Sequence, residues 1–236
     1  MELKFKTHET HEKRENEIKS ELTEKATPVY IVSCRDGILL ATASTKLKGR
    51  KISRVLDRAV FAGVGSVADC RALYEPANSY AKIQAHVERS QGDVFFVVND
   101  IVRSLSSQIS HRFKDLFSSH YFQCEISLVV LGREQQDDEI WCIDCSGDDI
   151  LADGWAKLPM NQTEDEEGDN GELSSDVSSM DMRTVFRDLL AGKLKKYCKN
   201  RTSIEAVVLE RVMANKKDFK KVYHRLSQEE ISDWLK

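Results

Sequence analysis

Apolar and polar positions are most clearly patterned between residues 27 and 71. Val29–Val32 and Ile38–Ala41 are short apolar runs on either side of Arg35-Asp36-Gly37. Asp-Gly between two β-rich runs marks a tight hairpin, because such turns need backbone angles that glycine adopts without cost. A polar spacer, Ser44–Arg50, leads into Lys51-Ile52, and a third apolar run, Ala59–Val64, ends at Gly63-Val64-Gly65. Ser66 then offers a hydroxyl to cap a helix starting at Val67. The order predicted is strand, turn, strand, loop, strand, glycine pair, helix.

The period changes downstream. Val67, Cys70, Leu73, Tyr74, Ala77, Tyr80 and Ala81 recur at helical spacing within 67–88. Pro76 is expected to kink or break that helix. Gly92-Asp93 caps a stronger helix, with Val94, Val98, Ile101, Leu105, Ile109 and Leu116 on its inner face. Glu125–Leu131 and Glu139–Cys145 read as strands around the polar loop Gly132–Asp138. Met182–Lys196 reads as a helix weakened at Gly192. Ile204–Met213 and Phe219–Tyr223 read as strands around the turn Asn215–Asp218. Ser227 and Glu230 form a capping box for a last short helix ending at Leu235. At the other end, residues 1–10 read as a mobile polar tail, and Thr10 as the cap of a helix running to Lys25. Its apolar stripe is only Ile18, Leu22 and Ala26, so it docks by one edge.

Composition alters this picture in one place. The stretch 161–178 carries seven acidic residues and no basic ones, so it is expected to be a mobile acidic loop. The 236 residues are 41% hydrophobic and 31% charged, enough for one large domain or two small ones with a sizeable core. A net charge of −4 gives no reason to expect nucleic-acid binding. No apolar run reaches membrane-spanning length, so no membrane partner is expected. The charged N-terminus lacks a secretory h-region, and six scattered cysteines then read as reduced thiols of a cytoplasmic protein.

Cys142 and Cys145 lie on a predicted strand, where positions three apart face opposite sides, and one pair cannot complete a zinc site. Buried thiols are expected there. His8 and His11 read as solvated. Gly63-Val64-Gly65 is followed by no Lys-Ser/Thr and is not a phosphate loop. No metal or cofactor is expected.

The stretch VYIVSCRDGILLATAS, then Lys51-Ile52 with Val55, then Gly65-Ser66-Val67-Ala68-Asp69-Cys70-Arg71, resembles a proteasome subunit. Residues 67–145 follow that family's two-helix, two-strand order, and Ala206–Lys236 looks like an alpha-type carboxyl end. Only Ile150–Ser179 has no clear counterpart. The resemblance implies an α+β fold, the four-layer αββα sandwich of N-terminal-nucleophile hydrolases. It places a tail and helix in residues 1–26 and a single sandwich domain in 27–236. The compact spacer before Lys51 and the absence of a Tyr-Asp-Arg tail motif point to a divergent, bacterial-like alpha type. Pro159–Ser179 stands where the family has a packed helix.

For function, the resemblance puts the family's threonine nucleophile at Thr27 and its lysine partner at Lys51. A threonine peptidase needs the free amine of that threonine as base and a lysine to tune it. Ala26 stands where the precursor has glycine, Pro28 fixes its own φ and pushes Thr27 toward extended geometry, and Ala43 replaces the carboxylate that would orient the lysine. A non-catalytic alpha-type subunit is therefore the first reading, with Thr27 and Lys51 vestigial. Such a subunit has beta-type and neighbouring alpha-type subunits as partners, an ATPase or other activator docked outside, and protein substrates in transit. Lys46, in Ser44-Thr45-Lys46-Leu47, is by resemblance the lysine that receives an activator's C-terminal carboxylate. The alternatives are a beta-type peptidase cut before Thr27 and a divergent scaffold relative that uses the acidic loop against the basic Lys193–Arg225 region.

Overall fold

The computed structural model describes residues 2–45, 50–87, 94–115, 120–132, 137–160, 177–198, 202–212 and 219–236. Helix α1 (Glu2–Lys25) leads into strands β1 (Val29–Cys34), β2 (Gly37–Thr45), β3 (Ile52–Leu56) and β4 (Ala59–Gly65). Helices α2 (Val67–Val87) and α3 (Val94–Lys114) follow, then β5 (Cys124–Val130), β6 (Glu139–Ile143), β7 (Asp149–Ala152) and β8 (Trp155–Leu158). A helical run comprises α4 (Met182–Thr184), a π turn (Val185–Leu190) and α5 (Ala191–Lys195). Strand β9 (Thr202–Glu210), the single turn α6 (Phe219–Val222), β10 (Tyr223–Arg225) and α7 (Gln228–Trp234) complete the fold.

Two five-stranded antiparallel sheets result, in the orders β10-β9-β2-β1-β8 and β3-β4-β5-β6-β7. Their strands alternate between two cores, as a pleat requires. Val29, Ile31, Val60, Ala62 and Val64 meet in the layer between the sheets. On β1 the intervening Tyr30, Val32 and Cys34 pack outward against the 182–195 helical run and α7. Phe61 on β4, with Ile126 and Leu128 on β5, packs outward against α2 and α3. The chain is thus the αββα sandwich that the sequence implied.

The turn Asp36-Gly37 is a tight one. Gly37 has φ +155°, and a Cβ there would collide with the carbonyl oxygen of Leu209 on the neighbouring strand. Asp36 Oδ1 accepts the backbone N–H of Met182 at 2.9 Å, which ties the turn to the outer helical layer. The capping box at Ser227 is formed in both directions.

Several expectations differ from the structure. Helix α1 begins at Glu2 rather than at a Thr10 cap, because its Lys- and Glu-rich sequence is helix-forming throughout. Helix α2 runs unbroken through Pro76. Pro76 is exposed on the outer face, while Leu73, Ala77 and Ala81 are buried and hold both halves to the sheet. Residues 219–222 are helical, and the strand begins only at Tyr223. Strand β7, paired with β6 in the second sheet, and β8, paired with β1 in the first, were not expected at all. Gly92-Asp93, Leu116 and most of the acidic stretch 161–178 lie outside the described residues. Among the described residues, no helix is long and apolar enough to cross a membrane.

Candidate functional site

Residues singled out by sequence converge on the end of the sandwich where α1 meets β1. Ile18 and Leu22 are buried, packing with Phe113 and Cys145, and Ala26 and Tyr121 flank them. Arg14 Nη1 donates to the carbonyl of Phe113 at 2.6 Å, and its guanidinium lies 4.5 Å from the Tyr121 ring centre. Lys19 bonds Glu15 and reaches Asp144 Oδ2 at 3.5 Å. Gly65 makes room for the docked helix. Its φ is +105°, and a Cβ there would lie 2.6 Å from Leu22 Cδ2.

Thr27 sits between α1 and β1, half-buried. Lys51 Nζ donates to the main-chain carbonyl of Thr27 at 2.5 Å. The structure therefore brings together the two residues placed by sequence, but through a backbone oxygen. Thr42 Oγ1 donates to the next carbonyl, that of Pro28, at 2.7 Å. Two successive carbonyls are thus held by side chains at the entry to β1. Ala43 is buried and offers no carboxylate to orient Lys51.

Beside this junction lies a cleft of about 670 Å³, bounded by the end of α1, the start of β3, the end of β4 and the first turns of α2. Arg50 and Lys51 supply cations, Lys25 and Arg71 are paired with the lining carboxylates Glu21 and Glu75, and Leu22, Phe61 and Tyr74 supply apolar wall. Lys46 lies outside the described residues. Motif residue Asp69 proves to be a strut: its Oδ2 accepts the N–H of Gln123 at 3.0 Å, fixing the entry of β5 to the start of α2. A second depression of about 880 Å³ runs along α3, but its Ser106 hydroxyl is already held by Gly147 O at 2.6 Å and Asp149 Oδ1 at 3.0 Å.

Sequence reasoning missed Glu125. It lies on β5 with its side chain wholly buried, and Oε2 accepts the N–H of Met160 at 2.6 Å. Oε1 has no hydrogen-bond partner among the described residues. Burial pushes its carboxyl up to about 7, against the lowering effect of the Met160 N–H. Alternation with Cys124 and Ile126 makes it look like a solvent-facing position, since nothing in one strand reveals a second sheet above it. Cys142 and Cys145 face different layers, the inter-sheet core and the underside of α1. Burial raises their thiols to about 11 and about 12, so both are poor nucleophiles.

Comparison with known proteins agrees with this architecture. A family model described as proteasome subunit matches residues 23–156, more than half of the chain. The chain is similar to the proteasome subunit alpha of Arthrobacter sp. (strain FB24), 24% identical over 216 residues that cover 88% of this chain and 86% of that protein. It is likewise similar to the proteasome subunit alpha of Paenarthrobacter aurescens (strain TC1), 23% identical over 212 residues, with the same two coverages. The matched segment takes in the end of α1, the Thr27–Lys51 junction and both helices of the outer layer, and so the chain belongs to the proteasome subunit family, as a divergent relative of its alpha type.

Proposed function

We propose that this chain is a non-catalytic subunit of the outer ring of a proteasome core particle, where it restricts substrate entry and docks an activator for intracellular protein degradation. The observation that carries this reading is the docking of α1. A beta-type peptidase would have to be cut before Thr27. That cut would remove Ile18 and Leu22 and uncover Phe113 and Cys145. Covering such side chains is worth about 1.5–3 kcal/mol each, so α1 is built into the fold rather than poised for removal. The engagement of Lys51 by a main-chain carbonyl supports the same conclusion. The cleft, with Arg50 and Lys51 beside an apolar wall, suits a C-terminal carboxylate with a hydrophobic residue next to it, and the family resemblance adds Lys46 as an ammonium donor for such a carboxylate.

Reconstitution with beta-type subunits tests the reading. Particles carrying Thr27→Ala should cleave a fluorogenic peptide at the wild-type rate, and the intact mass of the subunit should include α1. Loss of most activity, or a chain that starts at Thr27, would establish the peptidase instead. For the cleft, Lys46→Ala and Lys51→Ala should each weaken binding of an activator tail peptide by about 1.5–3 kcal/mol, the range of a charged hydrogen bond. Unchanged affinity in both would remove the docking role.

A further inference from the structure

The sequence holds two Asp-Gly pairs, and the fold treats them differently. At Asp36-Gly37 every part is pinned. Asp36 Oδ1 accepts the N–H of Met182 at 2.9 Å, its main-chain carbonyl accepts the N–H of Arg211 at 2.9 Å, and Gly37 lies tight against the carbonyl of Leu209. At Asp153-Gly154 nothing is pinned in this way. Asp153 is exposed, and among the described residues its carboxylate makes no hydrogen bond or ion pair. The Gly154 N–H likewise donates to no group among the described residues. Gly154 has φ +70°, and a Cβ placed on it would meet nothing within 4 Å. This pair is also the whole of a link between the two sheets. Ala152 is still paired with Ile140 in the second sheet, and Trp155 is already paired with Val32 in the first. The Gly154 carbonyl accepts the N–H of Ser33 at 2.8 Å, and the Ser33 hydroxyl donates to Asp138 at 2.5 Å.

We propose that Asp153 is a site of spontaneous isoaspartate formation, with the amide nitrogen of Gly154 as nucleophile. The nitrogen attacks the side-chain carboxyl carbon. A C–N bond forms, a C–O bond breaks, and the hydroxyl leaves with the amide proton as water, closing a succinimide ring. Water then adds to the main-chain carbonyl carbon of Asp153. A C–O bond forms, the bond from that carbon to the Gly154 nitrogen breaks, and a proton from the water ends on the nitrogen. The chain now runs through the side chain of Asp153, and its former main-chain carbonyl is a free carboxylate. No electron is transferred, and the water lost in the first step is regained in the second. Ring closure requires the carboxyl carbon to swing onto the next nitrogen, so its rate follows the freedom of both groups. Glycine puts no side chain in the path and lets the backbone turn. At Asp36 the carboxylate must first leave Met182, and the turn must open against β9. Isoaspartate adds one carbon to a link of two residues between the sheets, which draws the Gly154 carbonyl away from Ser33. This site does not depend on the chain's place in a proteasome.

The test holds the full-length folded chain for several weeks at body temperature and neutral pH. Digested samples are then labelled with radioactive S-adenosylmethionine and an isoaspartyl-specific carboxyl methyltransferase, and the peptides are separated. Label should build up in the peptide carrying residue 153 roughly tenfold or more faster than in the one carrying residue 36, where two hydrogen bonds must break first. Asn170-Gly171 also yields isoaspartate, by deamidation; its peptide is recognised by the gain in mass and counted apart. Asp153→Glu, at an exposed position, would need a larger ring and should leave its peptide unlabelled in a chain that folds normally. In urea the peptides of residues 36 and 153 should gain label at similar rates, because the difference belongs to the folded chain. Equal rates at the two sites in the folded chain, or an unlabelled residue 153, would overturn the proposal. So would a difference that persists undiminished in urea, or label that survives Asp153→Glu.

Discussion

At the end of the sandwich that carries the Asp36-Gly37 turn, one carboxylate joins the layers. Asp138 Oδ1 accepts the N–H of Gly132 at 2.8 Å, while Oδ2 takes the Ser33 hydroxyl and Arg211 Nη2, the latter at 2.7 Å. Ser33 belongs to one sheet and Gly132 continues a strand of the other, so the acid and its partners are both satisfied and shared. At the opposite end the buried acid is Glu125, with one oxygen unpartnered among the described residues and with Glu15, Lys19 and Asp144 as charged neighbours. There too the acid reaches the other sheet, through the N–H of Met160 just past β8, but a docked helix and a cleft lie near it. The contrast separates two uses of a buried carboxylate. One is a structural clamp, stabilising because both oxygens are hydrogen-bonded; the other is a cost borne where a buried carboxyl oxygen has no partner among the described residues.

Breaking the clamp should have the largest effect. Asp138→Ala leaves the partly buried Arg211 without its carboxylate and should cost about 3–5 kcal/mol in urea-induced unfolding. A loss below about 1 kcal/mol would mean that the clamp is ornamental. At the other end, Leu22→Ala should cost about 2–4 kcal/mol, the range for truncating a buried leucine. Most of that loss should appear as local release of α1, read as faster proteolysis between Arg14 and Ala26 while the sheets stay folded. Uniform global destabilisation would contradict the division between the two ends.

The smallest effect sharpens the comparison through pH. The folded carboxyl of Glu125 titrates near about 7, above the usual 4.5. Below pH 4.5 it is neutral in folded and unfolded chains alike, and burial carries no penalty for charge. As pH rises from 4.5 through about 7, the unfolded chain ionises more readily than the folded one, and stability is lost. Against Glu125→Gln, which cannot titrate, the wild type should therefore lose about 2–3 kcal/mol between pH 5 and pH 8. Parallel pH profiles for the two proteins would show that Glu125 is not the group responsible.

What sequence made legible follows from range. The Asp36-Gly37 hairpin, the start of α2 at Ser66 and the capping box at Ser227 depend on contacts within four residues, and they were readable as written. The apolar face of α3 was likewise readable, since Val98, Ile101, Leu105 and Ile109 all fall on one side of a helix. Strand β7 was not: Ile150 and Leu151 are adjacent and both exposed, so it shows no alternation. Phe219 and Val222 looked like strand residues because four residues are too few to distinguish the two periods. At the site, Thr27 and Lys51 were found through the family resemblance. The carbonyl that Lys51 engages and the second sheet covering Glu125 depend on tertiary placement that no local pattern encodes.

The register of β2 against β9 sets a timetable for synthesis. Thr45 pairs with Thr202 and Gly37 with Glu210, whereas the second sheet is drawn entirely from the contiguous stretch 52–152. On the ribosome, that second sheet and its two helices are complete while β2 still lacks one neighbour. Until the codon for Glu210 has been read and its residue has cleared the exit tunnel, one side of β2 displays unpaired N–H and C=O groups, with Ile38 and Leu40 beside it. A nascent chain in this condition is a template for strand pairing with another copy, and it is the stage at which a holding chaperone gains most. Truncated chains ending before β9 should accordingly be the aggregation-prone ones, and those ending just after β10 should be soluble.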